Sequence, residues 1–336
     1  MSRPSRPSDM RALATLAAGL LATTQLAGCV VHEMDGYPQR EEKRFSIKGT
    51  PDVKLATFDG SIVVRGWDRD EVSIEIEKRG RDKAAVDDIE IASEQNGNVI
   101  SVEAKRKGSA KRSYGIGVFH QMSLTARLVA SVPTGSNLII RTDDGSIRVE
   151  HVTGKVELRS ADGSVTGRDL TGDIFAHTED GSIRLEGIDG RCDVASDDGS
   201  ITVQGRLDAL RLTTEDGSVV VKALAGSKIT KDWSLSTGDG SMVLYVPEAF
   251  GAMLDAEAHD GAVRLDSTLA FDKQAEDRER NILRGRLGAG GPRLMLRSGD
   301  GGIRVRRLPG DLMPPPPPGA PRPPNPPPPP DLPVER

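Results

Sequence analysis

The sequence predicts an all-β fold: a parallel β-solenoid of roughly 18-residue coils, with an irregular β cap before it. Three observations predict it. Asp-Gly-Ser returns at Asp144, Asp162, Asp180, Asp198 and Asp216, a step of 18 residues held four times. Around each Asp, apolar residues recur with a spacing of two, which places them on one face of a strand. Helix-compatible stretches are scarce, the best being Lys83 to Ile89 and Ala275 to Leu283, both short and charged.

At the start of the chain, Arg3, Arg6 and Arg11 precede an apolar run from Ala12 to Ala22, the layout of a secretory leader over residues 1–28. The run is too short for a stable membrane-spanning helix. It ends at Leu26-Ala27-Gly28-Cys29, which resembles the lipobox of bacterial lipoproteins. That resemblance implies a mature chain beginning at Cys29 and acylated there, held to a membrane without crossing it. Val30, rather than Asp, follows the Cys, which by the lipoprotein sorting pattern points to the outer membrane. Ordinary secretion with a coincidental Cys is the alternative.

Residues 29–44 are charged and lack an apolar period, so a flexible stalk is expected there. Residues 45–135 are β-like but irregular; Val72, Ile74 and Ile76 alternate with Glu71, Ser73, Glu75 and Glu77. They are expected to contain a first repeat and to cap the amino-terminal end of the core, where an open coil would expose strand edges.

The repeat domain spans residues 136–308, and each aligned column has a chemical reason. Six before the Asp stand Leu138, Val156, Ile174, Cys192 and Leu210; three after stand Ile147, Val165, Ile183, Ile201 and Val219. Residues between the apolar columns, such as Arg159, His177, Arg148 and Arg184, face outward. Asp-Gly supplies the corner, Gly through positive φ and Asp by bonding nearby amides. A second corner falls near Gly154, Gly172, Gly190 and Gly226. The Thr142, Ser160, Thr178, Ser196 and Thr214 column is expected to form a hydroxyl ladder. The register continues at Asp59, Asp239, Asp260 and Asp300, with loops inserted between coils; the largest, Ala270 to Pro292, is expected to protrude.

An antiparallel meander with Asp-Gly hairpins is the competing architecture. It needs a second layer over its apolar face, which the scarcity of amphipathic helices does not supply. A coil closes around its own apolar lining, and stacking like upon like explains why columns keep one residue type.

Residues 309–336 hold 15 of the 22 prolines and read as a disordered, extended polyproline II spacer or a ligand for a groove-type partner.

The Asp-Gly-Ser-Ile/Val repeats, the opening Ile62-Val63-Val64-Arg65-Gly66-Trp67-Asp68 with its following Glu71-Val72 strand, and Val132-Pro133 before the repeats resemble the bacterial "putative adhesin" family of β-strand repeats. The resemblance covers roughly Phe45 to Leu308. It implies an envelope-associated β-repeat domain, brings no catalytic residues with it, and leaves the adhesin label without a ligand.

Composition narrows the partners. The formal charge is −5, and removal of Arg3, Arg6, Arg11 and Asp9 with the leader leaves 42 basic and 49 acidic side chains. That excess of acid argues against nucleic acid, which requires a basic footprint. The cluster Lys105, Arg106, Lys107, Lys111 and Arg112 reads as a solvated loop, with contact to anionic lipid as the alternative. With Cys29 lipidated, Cys192 has no disulfide partner and occupies an apolar column, so it is expected in the core.

Asp144, Asp162, Asp180, Asp198, Asp216 and Asp239 are foremost turn residues; stacked carboxylates make calcium a minor alternative, with Asp143, Glu179, Asp197 and Glu215 beside them and Ala161 breaking the row. The Gly-Gly-x-Gly-x-Asp pattern of calcium nonapeptides is absent. The five histidines lack metal-ligand spacing, and no Gly-x-Ser-x-Gly elbow marks a hydrolase. No cofactor or metal is expected. The functional expectation is a lipid-anchored envelope module, non-catalytic, partnered by the membrane through its anchor and by a cell-wall glycan or envelope protein. A glycan-acting β-helix enzyme and a self-assembling scaffold are the alternatives, the first weakened by an aromatic content of only 3%.

Overall fold

The computed structural model describes residues 36–107, 124–276 and 281–310. In it the 18-residue step becomes the height of one layer. Strands β1 (Tyr37–Ser46), β2 (Asp52–Asp59), β3 (Ile62–Trp67) and β4 (Glu71–Gly80) precede the short helix α1 (Lys83–Asp87). Strands β5 (Ile89–Asn96), β6 (Val99–Arg106) and β7 (Thr125–Pro133) follow, then β8 (Asn137–Asp144) opens the regular coils. Four 14-residue strands, β9 (Ile147–Ser160), β10 (Val165–Thr178), β11 (Ile183–Ser196) and β12 (Ile201–Thr214), run from one Asp-Gly turn to the next.

Each pairs in parallel with its successor 18 residues on, Ile147 with Val165 and Val165 with Ile183. The fold is therefore a parallel β-solenoid, as the column pattern predicts. The expected inner columns line one continuous core, with Ile147, Val165, Ile183 and Ile201 all at most 1% exposed. At roughly 25 cal/mol per Å2 of apolar area buried, this lining is the dominant stabilising contribution.

A long strand must still turn a corner. His151 (φ 58), Asp169 (φ 50) and Gly187 (φ 68) stack as left-handed bulges, followed by Gly154, Gly172 and Gly190 at φ 150, 117 and 132. Between them Val152, Leu170 and Ile188 point inward and are buried, a column eight residues after the Asp that the sequence reading passed over. The second corner thus falls at the expected glycines, and it is this corner that uses positive φ.

The Asp-Gly corner does not. Gly60 has φ 127, but Gly145, Gly163, Gly181, Gly199, Gly217 and Gly240 lie outside the left-handed region. Glycine stands there because the turns stack: a Cβ on Gly163 would fall inside the carbonyl oxygen of Gly145. Nor is the Thr/Ser column a hydroxyl ladder. Each hydroxyl donates to the glycine carbonyl of the neighbouring coil, Ser160 to Gly145 at 3.0 Å, Ser196 to Gly181 at 3.0 Å and Thr214 to Gly199 at 2.9 Å.

After β13 (Val219–Ala223) come β14 (Trp233–Thr237), β15 (Met242–Val246), β16 (Ala252–Ala258) and β17 (Val263–Leu265). The last strands are β18 (Phe271–Glu276), β19 (Ile282–Leu287), β20 (Arg293–Ser298) and β21 (Ile303–Arg307). Layer order departs from chain order at both ends. The β2/β3 coil is held between β6/β7 and β8/β9, since Ile62 pairs with both Leu128 and Ile147. The β20/β21 coil lies between β14/β15 and β16/β17, since Leu294 pairs with both Trp233 and Leu254.

Skipping a layer lets antiparallel strands seal the end coils. At one end β4 covers β7, β1 covers β4 and β5 covers β6; at the other β19 covers β16 and β18 covers β19. Exposed parallel edges would otherwise template association.

Three expectations are corrected by these caps. The stretch 29–44 is not all stalk, because Tyr37 onward forms β1, an edge strand held by backbone pairing and by charges such as Arg40 to Glu77 at 3.0 Å rather than by an apolar face. Residues 275–276 and 282–283 belong to β18 and β19, not to a helix. The stretch 270–292, expected to protrude, instead supplies the β18 and β19 strands that close the end coil. The other helical stretch does form α1, with Asp82 as N-cap accepting from the Ala85 amide at 2.9 Å.

Candidate functional site

The Asp-Gly turns form one edge of the stack. In-register pairing aligns Asp59 with Asp144, and the same turn recurs at Asp162, Asp180, Asp198, Asp216 and Asp239. Neighbouring layers stand about 4.8 Å apart, so the carboxylates form a row of like charge. The expectation that each Asp bonds amides of its own turn is not met: among the described residues, the carboxylates of Asp144, Asp162, Asp180, Asp198, Asp216 and Asp239 accept no backbone N–H, and they are exposed. The turns are held instead by backbone bonds between layers, such as Asp162 N–H to Asp143 O at 3.0 Å, together with the Thr/Ser hydroxyls.

Crowding shows in the acidity. Desolvation, then the neighbouring carboxylates Asp144 and Asp180, push Asp162 above the usual Asp range. Asp59 is raised by burial and by Asp144, against the pull of Arg106. Asp143, Glu179, Asp197 and Glu215 lie beside the row, yet among the described residues no three acidic, His or Cys side chains converge on one point as metal ligands do.

The outer strand faces are polar and self-neutralised. Glu157 pairs with Arg141 at 3.4 Å and Arg159 at 2.9 Å, and Glu186 with Arg168 at 3.6 Å and Arg184 at 3.3 Å. Exposed pairs of this kind each contribute about 0–1 kcal/mol. Phe175 is covered by Lys155 and Arg191, whose charged groups lie 5.5 and 5.7 Å from its ring centre. His177 stands on this outer face beside Phe175, as its column predicts.

Cys192 is 1% exposed in the core, where burial pushes its thiol up to about 12, so it is a packing residue rather than a nucleophile. Of the basic cluster at 105–112, Arg106 lies 4.6 Å over the Phe58 ring and 3.8 Å from Asp59, and Lys107 donates to the Asp87 carbonyl. These residues are tied down rather than free in a loop; Lys111 and Arg112 lie outside the described residues, as do Cys29, the leader and the Pro-rich tail from 311. Sequence reasoning missed Arg264, Arg304 and Arg306, which meet on the last coils; the run Arg304-Val305-Arg306-Arg307 is their only signal.

No curated protein matches the chain. Among solved structures, a "putative adhesin" from Parabacteroides merdae is similar, with 8% identity, a TM-score of 0.43, and coverage of 80% of this chain and 96% of that one. A "putative adhesin" from Bacteroides fragilis has 11% identity and a TM-score of 0.39, covering 80% and 97%. A "putative cell adhesion protein" from Clostridium sporogenes has 14% identity and a TM-score of 0.28, covering 81% and 100%. Residues 52–306, from the first coil to the last, match the Toastrack DUF4097 domain, and the chain belongs to that family.

Proposed function

We propose that this Toastrack chain is a non-catalytic display module of the cell envelope, anchored by lipid on Cys29 and presenting its polar outer faces to a cell-wall glycan or envelope protein. The observation that carries the reading is the register of the outer faces: Arg159, His177, Ala195 and Thr213 repeat one above another at 18-residue steps on a stacked apolar core. A face of this kind is fixed in place by its core and is suited to repeated weak contacts along a partner. The leader and the Leu26-Ala27-Gly28-Cys29 lipobox support the anchor.

Two measurements test this. Palmitate labelling of cells should mark the wild-type chain and not Cys29→Ser; continued labelling of the variant removes the anchor. The full chain should co-sediment with envelope fractions, and release of reducing sugar ends from those fractions would replace the display reading with an enzymatic one.

A further inference from the structure

The net-acidic chain carries one surface whose charge runs the other way. Along the outer face of β3 and β9 to β11, carboxylates neutralise arginines: Arg65 on β3 lies 3.4 Å from Glu150, and Arg168 and Arg184 lie 3.6 and 3.3 Å from Glu186. The column supplying those acids reads, in register, Glu150, Arg168, Glu186, Gln204, Lys222, Tyr245 and Arg306. Its last carboxylate is Glu186.

On the final coils, Arg304 is in register with Arg264 on one side and Val243 on the other, while Arg306 is in register with Tyr245. They line an open cleft of about 510 Å3. Among the described residues, Arg264, Arg304 and Arg306 make no side-chain hydrogen bond and no ion pair in direct contact, Arg306 feeling Asp266 only at longer range. Two acids stand close: Asp266, which lines the same cleft two residues along from Arg264 and is attracted by Arg306, and Glu248, and the hydrogen bonds of both go to other groups. Asp266 accepts from the Thr268 amide at 3.0 Å, the Thr268 hydroxyl at 2.9 Å and the Arg307 amide at 3.3 Å; Glu248 pairs with the Arg307 guanidinium.

Arg264 and Arg304 are one layer apart, about 4.8 Å, and Arg304 and Arg306 are two residues apart on the same face, about 7 Å. Like charges at that spacing repel, and an anion between them removes the repulsion. A carboxylate presents two oxygens in one plane and a single charge. Three guanidinium forks that are not in line fit a tetrahedral oxyanion, which accepts from each and carries more charge.

We propose that Arg264, Arg304 and Arg306 form a binding site for a phosphate group, supplied either by the headgroup of an anionic lipid or by free phosphate or a soluble phosphate ester. The site goes beyond the display reading and does not depend on the anchor, so its failure leaves the labelling and co-sedimentation tests untouched.

The test uses the full chain in two arms: calorimetric titration with inorganic phosphate, and flotation with phosphatidylcholine vesicles with or without phosphatidic acid. Any contribution of a lipid anchor is common to both vesicle compositions. Binding in the phosphate arm, a preference for the acidic vesicles, or both supports the site and identifies the source. The variant R264Q/R304Q should lose at least tenfold in the arm that binds, R306Q should lose less, and R304K should retain part of the affinity. The pair R168Q/R184Q removes equal charge from the same face further along and should bind as wild type. Thermal melting of each variant separates lost binding from lost folding. The proposal is overturned if wild type binds no phosphate and does not distinguish the vesicles, or if R168Q/R184Q weakens binding as much as R264Q/R304Q.

Discussion

Thr178 places its hydroxyl 3.0 Å from the carbonyl oxygens of both Gly163 and Ala161, one layer away in the stack, donating to this pair from a fully buried position. The bond ties one Asp-Gly turn to the strand that leads into the next. Thr178→Val keeps the shape and strands a buried carbonyl, so it should cost about 1–2 kcal/mol in urea denaturation, while Thr178→Ser should stay within about 0.5 kcal/mol. Equal losses would mean that methyl packing, not the hydroxyl, holds the turn.

Stacking rather than φ demands glycine at these corners. Gly163→Ala drives a methyl into the Gly145 backbone and should destabilise the chain by at least 2 kcal/mol. At Gly135 nothing lies within 4 Å of an added Cβ and φ is not left-handed, so Gly135→Ala should be neutral or stabilising by up to about 1 kcal/mol. Paired melting curves of the two variants decide the matter.

Neighbouring residues on opposite faces should respond differently to the same charge. Ile183 is 1% exposed in the core, and Ile183→Asp should cost several kcal/mol through an unpaired buried carboxylate. Arg184 is exposed and only loses its pair with Glu186, so Arg184→Asp should change stability by under about 1 kcal/mol. Similar unfolding midpoints for both would contradict the face assignment.

The acidic row makes a pH prediction. Asp162 is held above its ordinary value of 3.8 by desolvation, then by Asp144 and Asp180. The folded chain therefore keeps this proton more tightly than the unfolded one; the stability it contributes is complete below that value and lost as pH rises through the raised one. Asp162→Asn should raise the melting temperature at pH 7, leave it unchanged at pH 3, and gain less in high salt because the repulsion is screened. A gain that persists at pH 3 would point to a cause other than charge.

Much of this was legible in the chain. The inner columns, the outward Arg148, Arg159 and Arg184, the second corner at Gly154, Gly172 and Gly190 and the core place of Cys192 all follow from local alternation repeated at one step. Less legible were contacts between layers. The glycine carbonyl that receives Thr178, the steric need at Gly163 and the unpaired cluster of Arg264, Arg304 and Arg306 each involve residues at least 15 positions apart.

The sequence by itself determined the winding: an 18-residue step with a fixed set of inward positions allows a single register between layers, because a slip by one residue would turn the apolar face outward. Only the tertiary structure decided which layer rests on which. The columns are alike from coil to coil, so the Asp300 coil could stack on the Asp239 or the Asp260 coil with equal local fit, and it lies between them. What breaks that degeneracy is the free edge at each end, where antiparallel pairing by β4, β5 and β19 satisfies backbone groups that another parallel coil would leave open.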